Sequence, residues 1–207
     1  MTPQRREKLL RVLAKRQHDL TVVLENVFDP HNISAVLRTC DAVGIQDVYV
    51  LNTRIPRHAK WGRRSSSSAD RWVTVHQFTD LAECLKVLRS RYDRVLTTHL
   101  GGNSRDLYSV DFTGRLALVF GNEHSGVSEE FLAQSDGHFQ IPQVGIIQSL
   151  NISVACAVSL YEAYRQKQLA GHYSRQKLDD ASFGALWDLW SRGADAPEEN
   201  AGGGTAE

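Results

Sequence analysis

The spacing of apolar residues changes along the chain, and each change marks an element. Residues 3–17 place Leu9, Leu10 and Leu13 at helical spacing among charged neighbours, which predicts a basic amphipathic helix. Thr21 to Val27 is rich in β-branched residues and predicts a strand. Asp29-Pro30 reads as an N-cap with proline at the first helical position. The helix it opens runs to about Val43, with Gly44 as its C′ residue and Ile33, Val36, Leu37 and Cys40 as its apolar stripe. Short strands are expected at Val48–Leu51, Trp72–Val75, Val95–Thr98 and His138–Ile141, and a helix at Leu81–Arg91. Leu116 to Phe120 is apolar without a break, as in a strand buried on both faces of a parallel sheet. Ser128 caps a helix that carries Glu129 and Glu130 in its first turn. Asn151 to Ala170 predicts the longest helix and Asp179 to Trp190 a terminal one. Strands alternating with helices argue for an α/β fold with a mostly parallel sheet. The expected organisation is a central domain over 21–170, helical extensions at 1–20 and 171–192, and a disordered tail from Gly193.

One segment breaks the pattern. Pro142 to Leu150 lies between a strand and a helix, yet carries Val144, Ile146, Ile147 and Leu150. Loops usually run over the surface with polar turn formers. This content predicts a buried loop. Its backbone N–H and C=O groups then need partners, which a bound ligand can supply.

Composition narrows the class. A length of 207 residues with 42% apolar content suits one domain with a real core. The net charge is zero, but Arg5, Arg6, Lys8, Arg11, Lys15 and Arg16 crowd the first 20 residues. A second basic stretch holds Arg54, Arg57, Lys60, Arg63, Arg64 and Arg71 around Trp61 and four serines, Ser65 to Ser68. Two basic patches on a neutral chain suggest a polyanionic partner. Cys40, Cys84 and Cys156 are dispersed in apolar helical contexts, as expected of core thiols in a reduced cytoplasmic protein. No signal peptide, membrane span or metal-ligand spacing is read in the chain.

Common nucleotide-binding and acyl-transfer motifs are absent, with no GxGxxG, GxxxxGK[ST] or GxSxG. Three segments remain. In the first, around Pro30-His31-Asn32, Arg38 shares a helix face with Ala35 and Ala42. Close approach there would leave it partly buried and able to grip a phosphate or carboxylate. The alternative is a surface pair with Asp41 at i+3. In the second, Gly121 to Gly126, a buried strand ends in a glycine-bounded turn where ligands of open α/β sheets lie. Glu123 there is either an acceptor for a ligand or a solvated turn residue. In the third, Ser149 or Asn151 caps the long helix, or faces a ligand.

In this order, the segments resemble the three motifs of the SpoU class of RNA 2′-O-ribose methyltransferases, and within it the TrmH group that methylates a guanosine of the tRNA D-loop. The resemblance rests on Arg16 to Val22, Glu25-Asn26-Val27, Pro30-His31-Asn32, Leu37 to Gly44, the Gly121-x-Glu123-x-x-Gly126 turn and Gln148 to Ala155. It implies a deep trefoil knot in the C-terminal part, an obligate homodimer and S-adenosylmethionine bound by the knotted loops. Carried over residue by residue, Thr98, Gly121, Ile141 and Leu150 contact the cofactor. Arg38 acts on the 2′-hydroxyl with help from Ser149, while Asn32, Glu123 and Asn151 shape the site. An arginine keeps its charge in proteins, so the milder role for Arg38 is a phosphate clamp that polarises the hydroxyl. Lys8, Arg16, Arg63, Arg64, Arg165 and Lys167 contact tRNA phosphates on this reading. An rRNA ribose methyltransferase, or a non-catalytic RNA-binding protein on the same fold, is the alternative it leaves.

Overall fold

The structure, a computed structural model, describes residues 1–58, 69–147 and 149–193. Seven strands form one sheet in the order β3-β2-β1-β6-β4-β7-β5. In chain order they are β1 (Leu20–Glu25), β2 (Asp47–Leu51), β3 (Thr74–Phe78), β4 (Arg94–Thr98), β5 (Arg105–Asp106), β6 (Leu116–Phe120) and β7 (Gly137–Gln140). Every pairing is parallel. The adjacent strands β2, β1 and β6 are buried at every position, which is why Leu116 to Phe120 needs no polar alternation.

Side chains of these strands alternate between two cores. Val22, Leu24, Leu118 and Phe120 face one layer, with Ile33, Val36, Leu37 and Cys40 of α2 (Pro30–Ala42) and Cys156 and Leu160 of α5 (Ile152–Leu169). Val23, Tyr49, Ala117 and Val119 face the other, with α3 (Leu81–Arg91) and the short α4 (Glu129–Leu132). The helices α1 (Pro3–Leu13) and α6 (Asp180–Gly193) pack on each other through Leu9, Leu13 and Trp190, apart from both layers. All three cysteines are free and buried. No helix among the described residues is long and apolar enough to cross a membrane.

Local chemistry sets the helix boundaries. Asp29, Asp80, Ser128 and Asn151 each cap a helix with a side-chain oxygen. Gly44 closes α2 with φ +82°, a conformation that favours glycine.

Several expectations need correction. The third strand starts at Thr74, not Trp72. Trp72 instead meets Trp190 edge-on at 5.2 Å, so its aromatic surface serves α6 rather than the sheet. The first helix ends at Leu13, four residues early. The apolar loop is not buried within the chain: Val144 and Ile146 are fully exposed and Ile147 is 75% exposed. No other element among the described residues reaches over it.

Two of the expected RNA contacts are also overturned. Arg16 and Lys167 have no exposed surface. Arg16 turns inward just past α1, ion-pairs with Asp41, donates to the Ile45 carbonyl at 3.2 Å and lies over the Trp190 ring. Lys167 donates to the carbonyls of Thr113 and Gly114 and pairs with Asp19 at 3.1 Å. Each fastens two parts of the fold, which removes it from any phosphate. Burial pushes the pKa of both below the ordinary value, against the raising effect of Asp41 and Asp19.

Candidate active site

The strand order reverses direction between β1 and β6: the chain moves from β1 outward to β2 and β3, then crosses to the far side. Ligands of open parallel sheets lie beyond the carboxyl ends of strands at such a switch point. Three separate segments meet there.

At the end of β1, Asn26 turns the chain with φ +51°, and it is the one non-glycine residue with positive φ among the described residues. Asparagine tolerates this conformation better than most residues. Its side-chain oxygen accepts from the backbone N–H groups of Thr53 and Arg54, both at 2.9 Å. Its carbonyl accepts from the Asn122 side chain at 2.7 Å. Asn26 therefore ties the root of the basic loop after β2 to the Gly121–Gly126 turn. Glu25, beside it and buried, accepts from the Ser128 N–H and hydroxyl and so anchors the start of α4.

That turn is narrow. Asn122 and Gly126 exchange two backbone hydrogen bonds of 2.9 Å. A Cβ at residue 121 would stand 2.1 Å from the Gly126 carbonyl carbon and the Val127 nitrogen. Gly121 is thus required by its own turn. The turn presents Glu123, whose carboxylate accepts from the Asn32 side chain at 2.8 Å and from the Phe28 N–H at 3.2 Å. Asn32 stands in the first turn of α2.

The third segment closes the set. The Asn151 side chain caps α5 by accepting from Ser153 and donates to the Asn32 oxygen at 3.1 Å. The cap reading of Asn151 therefore holds, and the same side chain also reaches Asn32. The chain Asn151–Asn32–Glu123 joins residues that lie 119 and 91 positions apart in sequence.

Around this network the other residues take distinct places. Arg38 is exposed on α2 and engages no partner among the described residues. It is neither partly buried nor paired with Asp41, because Arg16 holds that carboxylate. Ser149 is exposed, and Leu150 is 39% exposed. Thr98, at the end of β4, is half-buried and donates to the Val119 carbonyl at 3.2 Å. Ile141 is half-buried at the end of β7. Thr98, Gly121, Ile141 and Leu150 thus follow or end β4, β6 and β7, three adjacent strands. Of the remaining basic residues, Lys8 is exposed, and Arg165 is 60% exposed but held by both carboxylate oxygens of Glu162. Trp61, Arg63, Arg64, Ser65 to Ser68 and Gln148 lie outside the described residues. Asn26, Glu25 and Asn122 carry no role in the sequence reading. The signal for Asn26 lies in its type: an asparagine interrupts the β-rich run Thr21 to Val27, which has no glycine to make the turn, and the strand ends before it at Glu25.

A parallel sheet with a polar network at its switch point is the arrangement in which α/β proteins hold ligands beyond their strand ends. The chain belongs to the SpoU rRNA Methylase family, whose profile matches residues 19–161. It is 44% identical over 193 residues to the tRNA (guanosine(18)-2′-O)-methyltransferase of Thermus thermophilus, covering 92% of this chain and 97% of that one. A solved structure of the A. aeolicus TrmH/SpoU tRNA modifying enzyme superposes with a TM-score of 0.86 at 35% identity, covering 94% and 98% of the two chains. An AdoMet-bound rRNA methyltransferase from Sinorhizobium meliloti superposes with a TM-score of 0.66 at 25% identity, over 75% of this chain and 59% of that one.

Proposed function

We propose that the chain methylates the ribose 2′-hydroxyl of guanosine 18 in the D-loop of tRNA, with S-adenosylmethionine as methyl donor. The observation that carries this is the Asn151–Asn32–Glu123 network at the start of α2, with Arg38 exposed further along the same helix and without a partner among the described residues. The substrate follows from the relative that matches over nearly its whole length.

The residues present suit the cofactor. Among the described residues, the backbone of 144–147 and 149–150 makes no hydrogen bond within the chain, so its N–H and C=O groups are available. Leu150 and Ile141 offer apolar surface for a flat purine, and Thr98 and Gly121 complete the wall. When bound, S-adenosylmethionine supplies the methyl group from its sulfonium.

The chain's own residues then orient the acceptor. Arg38 clamps a phosphate of the target nucleotide and polarises its 2′-hydroxyl. Ser149, exposed two residues before Asn151, assists with its hydroxyl. Asn32, held between Glu123 and Asn151, has both ends of its amide fixed and so cannot rotate. A fixed geometry of this kind is the main contribution a protein makes to such a transfer.

On this reading the segment between β7 and α5 follows the knotted path that the family resemblance implies. The exposed run of Val144, Ile146, Ile147, Val154 and Tyr161 supports burial of this face in a homodimer. The activity would belong in the cytoplasm, where tRNA is processed.

The test is transfer of labelled methyl to unmodified tRNA and to tRNA lacking the D-loop guanosine, with sedimentation for the dimer. Label in the first alone is expected. Label in both would refute the D-loop assignment.

A further inference from the structure

The helices α2 and α5 start together, at the Asn32–Asn151 hydrogen bond of 3.1 Å. They also end together. Asp41 to Gly44 from the end of α2, and Tyr164 and Gln168 from the last turns of α5, line one cleft of about 490 Å³. Arg11 and Lys15, from the end of α1 and just beyond it, line it as well, as does Tyr173. Ten residues separate Asn32 from Ala42, so the cleft lies roughly 15 Å along α2 from the network. Arg38 stands between the two, one turn from Asp41.

The chemistry of this cleft is specific. Arg11 and Lys15 are exposed, and neither side chain has a partner among the described residues. The carboxylate of Asp41 is neutralised by the buried Arg16, which leaves the two cations uncompensated. Tyr164 and Tyr173 meet edge to face, with ring centroids 4.9 Å apart. Tyr173 is fixed by its hydroxyl, which donates to the Val43 carbonyl at 2.7 Å. Two cations beside two half-buried aromatic rings are the combination that holds an unstacked nucleotide, the rings taking the base and the cations its phosphates. The volume falls within the range of about 300–1,000 Å³ usual for small-ligand sites.

We propose that this cleft seats a second, unstacked nucleotide of the RNA substrate, a few nucleotides from the one methylated. The proposal rests on the RNA-methyltransferase reading above. Cleft and network are held in register by the same pair of helices, so the RNA strand would run along α2 past Arg38.

The double variant Arg11→Ala/Lys15→Ala removes the cations from an exposed surface and should leave folding intact. Tyr164→Leu removes the ring while keeping an apolar side chain against the core. Binding of unmodified tRNA is measured across salt concentrations, alongside methyl transfer at saturating tRNA. The double variant is expected to flatten the slope of log affinity against log salt by about 1.4–1.8, for two phosphate contacts. Tyr164→Leu is expected to weaken binding about 10-fold with an unchanged slope. In both, kcat at saturating tRNA stays within about 2-fold of wild type, because the cleft is remote from the reacting ribose. An unchanged slope and affinity in the double variant, with wild-type methylation intact, would overturn the cleft and leave the enzyme reading standing. Weaker binding of a free nucleoside monophosphate alone, with tRNA affinity unaltered, would also overturn it. A wild-type chain that binds no tRNA would overturn both.

Discussion

Arg16→Met separates two roles that one arginine cannot hold together. The guanidinium has no exposed surface, and burial lowers its pKa, against the raising effects of the Asp41 charge and hydrogen bond. Its removal forfeits a charge-assisted bond to Asp41, about 1.5–3 kcal/mol. It leaves the Ile45 carbonyl without this donor, about 1 kcal/mol more. It also ends the contact with the Trp190 ring, 4.9 Å from the guanidinium carbon, about 1–2 kcal/mol. Two effects work the other way. The Arg16 Nε has no partner, so a dry, incompletely satisfied cation is removed. Asp41 is 35% exposed and regains water. The net loss should be about 3 kcal/mol. With a urea slope of about 2 kcal/mol/M, the unfolding midpoint falls by roughly 1.5 M. Equilibrium urea unfolding reads that shift, and tRNA binding under folding conditions should stay within about 2-fold of wild type. An unmoved midpoint with a tenfold loss of tRNA affinity and a shallower salt dependence would refute the reasoning. Arg16 would then be a phosphate contact after all.

Other consequences can be measured independently. Asn32→Asp sets a carboxylate 2.8 Å from Glu123, and the like charges should disperse the network, lowering kcat about 100-fold in single-turnover methyl transfer with stability changed by less than about 1 kcal/mol. Gly121→Ala forces a Cβ to within 2.1 Å of backbone, so the turn must open, at a cost of about 3 kcal/mol seen as a lower melting temperature. Burial opposes ionisation of Asp47, but the hydrogen bond with His76 and the charges of Arg91, His18 and His76 hold its pKa below the ordinary 3.8. A depressed carboxyl stabilises the fold above its unfolded value and loses that contribution as pH falls through the folded one. Asp47→Asn should therefore be less stable than wild type at neutral pH and lose less stability below about pH 4 in urea titrations.

Much of this was readable from residue order. The strand Leu116–Phe120 and the helix Leu81–Arg91 stand where their periodicity put them, because local pattern and final burial agree. The caps at Asp29, Ser128 and Asn151 are equally local. What escaped depends on partners distant in sequence. Arg16 and Lys167 look like surface cations until Asp41, 25 residues away, and Asp19 are placed beside them. The loop from Pro142 to Leu150 has the composition of a core, but composition cannot tell whether the cover comes from the same chain. Asn32, Glu123 and Asn151 could be singled out by type, whereas their mutual hydrogen bonds required the sheet order.

That order bears on how the chain is made. The central strand β6 lies between β1 and β4, yet it is translated after both. Roughly 90 residues separate the end of β1 from the start of β6. At a synthesis rate of about 5–20 residues per second, β1 therefore waits on the order of 5–20 s with one apolar edge unpaired on the ribosome. β2 and β3 can shield only the opposite edge during that interval. Slowing translation between residues 25 and 116 should thus raise the aggregated fraction of newly made chains, while the finished protein keeps its stability.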